Sequence, residues 1–257
     1  MANWLTHCFV RWNFKGGFRQ TPGAEKWNTW PEYFKKHGYY TKGCGKITQP
    51  RDPADFDPQS WTGNKYSGYN GQGSCPLKNL EGKNKSHGCP VPASLNYTGY
   101  PDYKTLATAK ELLQNATLAD QQARARTDGQ SGQPFWIGVG FVKPHMPHVF
   151  PEEFLDVVPQ TADIEIATNQ YMPKGTPFIE WGSGYEVPAS GPNSPPDQWT
   201  AQDWRRNYYA AAAFSDHLLG ELLAELESLG KANDTIIIMT ADRESCSSVL
   251  WHSRIPL

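Results

Sequence analysis

Residues 134–142 read PFWIGVGFV, and the fold prediction for this chain begins from them. The run is almost continuously apolar and is rich in aromatic and β-branched side chains, which is typical of a strand buried on both faces. Such strands occur in parallel or mixed sheets that are covered by helices. A second apolar run, TIIIM at residues 235–239, predicts a second buried strand.

Helical patterns alternate with these strands along the chain. A Thr-Trp-Pro-Glu capping box at residues 29–32 opens a short helix over residues 31–37. Apolar stripes with helical spacing predict longer helices over residues 102–115 and 203–229, and residues 151–158 form a short one. The order predicts an α/β fold, with a mixed, mostly parallel sheet and helices on both faces.

Long stretches rich in proline and glycine interrupt this pattern. Residues 49–100 contain mainly Asp, Pro, Gly, Asn and Ser, which predicts a functional loop or an insertion. Residues 161–199 form another loop of this kind, and residues 121–132 read as a polar linker.

Composition excludes two classes of protein. The chain contains no run of 18 apolar residues, which argues against a transmembrane helix. Its net charge of −2 and pI near 6.4 argue against a nucleic-acid-binding surface, which needs a basic excess. Residues 1–14 lack the basic and apolar regions of a secretory signal.

Four N-x-[ST] sequons nevertheless favour the secretory route. Chance supplies about one or two in a chain of this size. The candidate glycosylation sites are Asn84, Asn96, Asn115 and Asn233.

The five cysteines do not form a C-x-x-C motif, so a zinc ribbon is not expected. Two of them, Cys75 and Cys89, bracket a loop rich in Gly, Lys and Asn and are the best candidates for a disulfide in an oxidising compartment. The alternative is two free thiols. The remaining cysteines are Cys8, Cys44 and Cys246.

The most informative polar cluster follows the first predicted strand. Lys143 and His145 are two residues apart, and prolines stiffen the segment on either side. A fixed cation beside a proton carrier suits an anionic group such as sulfate or phosphate. The alternative is a loop with incidental polar residues. The sequence gives less support for a role of His148 in this site, and we expect it to be an ordinary loop residue.

Two further residues are candidates for the same site. Asp242 follows the second predicted strand, where a carboxylate can bind a divalent cation or can cap the next segment. Lys46 follows the glycine-rich residues 38–45, which would let the backbone approach an anion. Its G-x-G-K sequence lacks the spacing of a phosphate-binding P-loop.

The order of these segments resembles the sulfatase family, within the alkaline-phosphatase-like superfamily, and most of all its iduronate-2-sulfatase branch. The most specific stretch is PFWIGVGFVKPHMPHVFPEEFLDVVP at residues 134–159. Residues 30–46 are similar to the family's second signature, and residues 208–242 are similar to the segment that delivers a calcium ligand. Cys75 and Cys89 resemble a disulfide pair of this branch.

The resemblance implies a sulfuric-ester hydrolase that removes sulfate from a sulfated sugar on the secretory route, lysosomal or extracellular. It implies one calcium ion and a formylglycine that attacks sulfur. By position, Lys46, Lys143 and His145 would bind sulfate or serve the leaving group, and Asp242 would be a calcium ligand. All four would converge at one rim of a single sheet.

The sequence also departs from the family pattern. No cysteine begins a C-x-P-S-R motif, so the residue that becomes formylglycine is missing from the 257 residues. Gln49 stands where the family has a histidine, and Arg243-Glu244 stands where His-Gly follows the aspartate.

We therefore expect residues 1–257 to be a partial N-terminal catalytic domain with a loop-rich insertion at about 49–100. It would lack the family's nucleophile segment and everything C-terminal of the calcium-ligand strand, and it would be inactive as a fragment. Two alternatives stay open. One is a catalytically dead protein that binds sulfated glycans, using some of its 10 tryptophans and 12 tyrosines. The other is a phosphate or phosphonate hydrolase of the same superfamily.

Overall fold

A computed structural model describes residues 26–47, 56–78, 88–171 and 195–240, together with Arg19 and Gly23. Short 3-10 turns separate the helices and strands within these residues. The elements are α1 (Trp30–Lys36), β1 (Tyr40–Gly45), β2 (Gly88–Val91), α2 (Pro101–Arg126), β3 (Phe135–Gly140), β4 (His148–Pro151) and α3 (Gln198–Ser228).

The chain divides into two compact units. The first contains Met1–Gly71, Pro101–Val142 and Leu218–Thr235, and the second contains Gln72–Tyr100, Lys143–His217 and Ile236–Leu257. Each unit holds one pair of strands within the described residues. No described helix is long and apolar enough to cross a membrane.

Both described strand pairs are parallel, which confirms the predicted α/β fold. In the first unit β1 pairs with β3, with Tyr40 opposite Phe135 at one end and Gly45 opposite Gly140 at the other. In the second unit β2 pairs with β4, starting from Gly88 opposite His148. Parallel pairs require long connections, and the chain between the partners contains α2 in both cases.

The N-cap half of the capping box predicted for α1 is present. The Thr29 hydroxyl accepts a hydrogen bond from the Glu32 backbone N–H at 3.2 Å, and Pro31 lies in the first turn. The helix ends before Gly38, whose φ of 85° is in the left-handed region that glycine favours. The chain then enters β1 after one further residue.

The core of the first unit forms where α2 covers the two parallel strands. Its apolar face packs on side chains from β1 and β3, and the end of α3 adds one more contact. The residues involved are Cys44, Ala109, Leu112, Ile137, Val139 and Leu222. The strand predicted over residues 134–142 is confirmed and is β3. The first three residues of β3 are only half-buried.

Helix α2 is longer than predicted. It continues to Arg126, so the prediction of a polar linker from residue 121 is wrong for its first turn and a half. The segment is rich in Gln, Ala and Arg, which favour helix, and Arg124 forms an i,i+4 ion pair with Asp120.

Asp120 connects three parts of the first unit. Its carboxylate is only 4% exposed and accepts hydrogen bonds from Lys231 Nζ at 2.5 Å and from Arg124 Nε at 3.1 Å. The Gln133 backbone N–H donates to it at 3.0 Å, just before β3. Burial opposes ionisation of Asp120, but the bonds from Lys231 and Arg124 outweigh it and lower the pKa below its usual value.

Two glycines allow β1 and β3 to approach closely at their carboxyl ends. Gly45 has φ 74°, and a Cβ atom placed on it would lie 2.1 Å from the Gly140 carbonyl oxygen. The Lys46 backbone N–H donates to the same oxygen at 2.7 Å. Only glycine fits at residue 45, and this contact fixes the backbone of Lys46.

The second unit is held by a disulfide and an aromatic cluster. Cys75 and Cys89 form a disulfide, with Cα atoms 5.9 Å apart. The structure therefore has the disulfide predicted from the sequence, and not the alternative of two free thiols. Phe214 of α3 contacts Tyr100 and Phe154, with ring centroids 5.7 and 5.3 Å apart.

The sequence did not predict β2 or β4. Each strand has only four residues, and each contains a proline, Pro90 in β2 and Pro151 in β4. The alternation of apolar and polar residues that marks a strand is therefore not visible in the sequence. The helix predicted over residues 151–158 is instead a 3-10 turn over Glu152–Leu155.

The prediction of a buried strand over residues 235–239 is wrong in this structure. Ile236 is 87% exposed and Met239 is 81% exposed, and none of the described strands pairs with this segment. A strand is buried only when neighbouring strands and helices cover it.

Replacing the Asp120 carboxylate tests the network in the first unit. We expect Asp120→Asn to lower the free energy of unfolding by about 2 kcal/mol at pH 7, since Lys231 and Arg124 lose their charged acceptor. Urea titration measures the change. Because the folded pKa is depressed, the stabilisation is present above the unfolded pKa of about 3.9 and is lost as the pH falls through the folded value.

The exposed Glu227→Gln provides the control, because it removes one carboxylate at a solvated position of the same unit. It should change the stability by less than about 0.5 kcal/mol. Equal losses in the two variants, or an Asp120→Asn deficit that stays unchanged as the pH falls through the folded pKa of Asp120, would contradict the role given to this carboxylate.

Alanine at Gly45 tests the close approach of β1 and β3. Gly38→Ala is the matched control: its φ is also positive, but a Cβ there meets nothing within 4 Å. We expect Gly45→Ala to be less stable than Gly38→Ala by about 2 kcal/mol, because the added methyl overlaps the Gly140 carbonyl. Equal denaturation midpoints for the two variants would show that the approach is not tight.

Candidate functional site

The candidate site is the turn of residues 143–148, which joins the segment after β3 to the start of β4. Its sequence is Lys-Pro-His-Met-Pro-His, and the Lys143–Pro144 and Met146–Pro147 peptide bonds are both cis. From α3, the Ser215 hydroxyl donates to the Lys143 carbonyl oxygen at 2.7 Å. Helix α3 thus holds the first residue of the turn in place.

The Lys143 side chain points into the turn. It is 4% exposed, and Nζ donates to the carbonyl oxygens of Gln72 at 3.0 Å, His145 at 2.8 Å and Pro147 at 2.7 Å. An ammonium group has three N–H donors, and these three carbonyls match that number. A direct hydrogen bond from Lys143 to a sulfate oxygen would require the exchange of one of them.

The ring of His145 is oriented at both nitrogens. Nδ1 is hydrogen-bonded to the Met146 carbonyl oxygen, which can only accept, so Nδ1 carries a proton. Nε2 lies 3.1 Å from Nε2 of Gln72, an amide nitrogen that can only donate. These two contacts are compatible with a neutral imidazole whose Nε2 lone pair accepts from Gln72.

Lys143 and His145 are brought together as predicted from their spacing, since the Lys143 ammonium bonds to the His145 backbone. Whether they bind sulfate stays a prediction. Gln72 was missed, because it lies in a loop without periodicity. The one local signal is the pair of glycines around it, Gly71 and Gly73, both with φ of 78°.

His148 is not the loop residue that was expected. It is the first residue of β4, it is buried, and its ring meets Tyr208 edge-on at 5.8 Å between centroids. Its register partner Gly88 packs against Asn207, where an added Cβ would lie 2.5 Å from the Asn207 amide. His148 belongs to the packing of the second unit.

Lys46 lies directly after β1 and is half-buried. It belongs to the first unit, whereas Lys143 and His145 belong to the second. The convergence of Lys46 with those two residues therefore stays a prediction. Gln49 and Asp242 lie outside the described residues.

The described residues contain no group of three or more His, Cys, Asp or Glu side chains that could hold a metal ion. The predicted calcium ligand Asp242 lies outside them, as do Cys8, Cys246 and Asn84. Cys44 is a buried free thiol on β1, and burial raises its pKa to about 12. Such a thiol is inert as a nucleophile at neutral pH.

Several sequence relatives of this chain carry the names of sulfatases. Human "Iduronate 2-sulfatase" is 28% identical over 235 residues, covering 85% of this chain and 40% of that protein. A "Sulfatase" of Formosa agariphila is 26% identical over 232 residues, covering 82% and 40%. Bovine "Arylsulfatase K" is 26% identical over 255 residues, covering 93% and 41%. The chain spans about two fifths of the length of these relatives.

Two solved structures align at low similarity. The phosphonate monoester hydrolase SpPMH from Silicibacter pomeroyi gives a TM-score of 0.44 at 18% identity, covering 78% of this chain and 44% of that one. The phosphonate monoester hydrolase of Agrobacterium radiobacter gives a TM-score of 0.43 at 17% identity, covering 81% of this chain and 45% of that one.

The family model for sulfatases matches residues 12–245, which is most of the 257 residues. This match includes β3, the turn of residues 143–148 and α3. The chain belongs to the sulfatase family.

Proposed function

We propose that this chain is part of a sulfuric-ester hydrolase and that the turn of residues 143–148 forms one side of its sulfate site. The observation that carries the proposal is the pairing of a buried ammonium, Lys143, with an oriented neutral imidazole, His145. The family match supports the class of reaction.

Hydrolysis of a sulfate ester builds negative charge on the sulfate oxygens and on the leaving oxygen. A fixed positive charge beside these atoms stabilises the transition state, and its effect is largest where water is excluded. Lys143 supplies such a charge. A sulfate oxygen can replace one of its three carbonyl acceptors, because a charged acceptor forms a stronger hydrogen bond than a neutral one.

His145 is proposed to serve the leaving group. A leaving alkoxide needs a proton, and an imidazole can supply it near neutral pH. In the neutral ring the proton on Nδ1 is bonded to Met146, so donation requires that Nε2 first takes up a proton. The Gln72 amide contacts this nitrogen and must accommodate the change.

Calcium and formylglycine belong to the family pattern, and the described residues supply a site for neither. Asp242 stays a proposed ligand for one calcium ion, and Lys46 stays a proposed sulfate residue. No cysteine of the 257 residues begins a C-x-P-S-R motif, so no residue is proposed as the formylglycine. We therefore expect no turnover from this chain by itself.

The proposed substrate is a sulfated sugar of the type implied by the iduronate 2-sulfatase relatives, such as a glycosaminoglycan. The second candidate function is binding of sulfated glycans without turnover. It needs the same contact of Lys143 with sulfate but no nucleophile, and no cysteine of the 257 residues begins a C-x-P-S-R motif.

The secretory route is proposed from the disulfide between Cys75 and Cys89 together with the sequons. Three candidate glycosylation sites lie in the described residues, and the side chains of Asn96, Asn115 and Asn233 are all exposed. Asn96 lies in an irregular segment with Thr98 also exposed, whereas Asn115 lies on α2.

Calorimetric binding tests the proposed sulfate site. With calcium present, we expect the chain to bind a sulfated disaccharide and not its desulfated analogue, with no release of sulfate. Lys143→Met should weaken binding at least about tenfold, because a charged hydrogen bond is lost. Lys104→Met, which removes an exposed lysine, is the control.

Far-UV circular dichroism and an intact disulfide would show that Lys143→Met is folded. Equal affinity for the sulfated and desulfated disaccharides would contradict the sulfate site. Release of sulfate by the unmodified chain would instead contradict the expectation of an inactive segment.

Expression through a eukaryotic secretory pathway tests the proposed location. We expect mass spectrometry after glycosidase treatment to show an N-glycan at Asn96 and an intact disulfide between Cys75 and Cys89. Asn96→Gln should lose one glycan, while Asn28→Gln, outside any sequon, should lose none. Free thiols at Cys75 and Cys89 with an unmodified Asn96 would argue against the secretory route.

A further inference from the structure

Gln72 contacts both polar residues of the turn, although it is about 70 residues away from them in sequence. Its backbone carbonyl accepts from Lys143 Nζ at 3.0 Å, and its side-chain Nε2 lies 3.1 Å from Nε2 of His145. The two contacts use different parts of the residue. A substitution of the side chain therefore alters the contact with His145 and leaves the carbonyl for Lys143.

We infer that Gln72 is a positioning residue for the proposed sulfate site, and that its amide holds the His145 ring in the neutral form protonated on Nδ1. The consequence of this inference for catalysis rests on the proposed function. The contact between the two side chains is an observation of the structure itself.

An amide is suited to a histidine that changes its protonation state. In the neutral ring the Gln72 NH₂ group donates to the Nε2 lone pair. When Nε2 gains a proton, rotation of the amide by half a turn presents Oε1, which accepts from the new N–H. Glutamate can accept only and leucine can do neither, so glutamine alone among the three fits both states.

The backbone that follows Gln72 is anchored to the rest of the second unit. Gly71 and Gly73 have φ of 78°, which allows the tight course of the chain at this point. One residue further, the Ser74 carbonyl accepts from the Tyr97 hydroxyl at 2.6 Å, and Cys75 is bonded to Cys89 in β2. The disulfide thus anchors the segment that presents Gln72.

The ¹⁵N chemical shifts of the His145 ring test the inference, because they distinguish a protonated from an unprotonated ring nitrogen. The resonances are assigned by their loss in His145→Gln. At pH 7 we expect the unmodified chain to show a proton on Nδ1 and none on Nε2. Gln72→Glu should convert His145 to the doubly protonated ring, since both neighbouring atoms then only accept.

Gln160→Glu is the matched control, since it adds the same charge at an exposed residue of the second unit. It should leave the His145 shifts unchanged. An intact disulfide and unchanged far-UV circular dichroism show that the Gln72 variant is folded. A proton on Nε2 alone in the unmodified chain, or the same protonation state in Gln72→Glu, would overturn the inference.

A parallel calorimetric titration with the sulfated disaccharide separates this inference from the proposed function. Gln72→Leu should weaken binding several-fold while keeping the Lys143 contact, since only the orientation of His145 is lost. Expected ring shifts without any sulfate binding would overturn the proposed function and leave Gln72 as the partner of His145. Sulfate-specific binding with ring shifts insensitive to Gln72 would overturn the inference alone.

Discussion

The buried ammonium of Lys143 is the interaction on which the candidate site depends. Moving a charged group out of water is costly unless polar groups replace the lost hydration. Here the carbonyl oxygens of Gln72, His145 and Pro147 replace it. Two of these belong to the turn itself and the third belongs to a distant loop, so one cation ties the two segments together.

This arrangement has two consequences for the chemistry. It places a positive charge inside the turn, where a low dielectric strengthens its effect on an approaching anion. It also fixes the backbone of His145, whose ring is then oriented by Met146 and Gln72. A sulfate group would compete with neutral carbonyls for the Lys143 protons, and its charge favours it in that competition. The same lysine can thus hold the turn without substrate and bind sulfate with it.

Local patterns in the sequence predicted the parts of the fold that depend on local interactions. The N-cap Thr29 and the strand β3 lie where capping and periodicity placed them, and α3 begins at Gln198, five residues before the predicted start at residue 203. The end of α2 was missed because residues 121–126 are polar and show no apolar stripe, and the contact of the preceding Asp120 with Lys231 lies far along the chain. The exposed residues 236–239 show the same limit, since burial depends on neighbours that composition does not reveal.

The candidate site was predictable to a similar extent. Lys143 and His145 were identified because prolines and a preceding strand mark them in the sequence. Gln72 was not, because a contact over about 70 residues leaves no local pattern. The acceptors of Lys143 are backbone carbonyls, which every residue possesses, so no sequence motif could have indicated that the lysine is buried.

A crystal structure of the chain with a bound sulfated disaccharide tests the central role of Lys143 most directly. We expect a sulfate oxygen at about 3 Å from Lys143 Nζ, in place of one of the three carbonyl acceptors, with the turn otherwise unchanged. A sulfate group bound elsewhere, with all three carbonyl bonds of Lys143 intact, would contradict it.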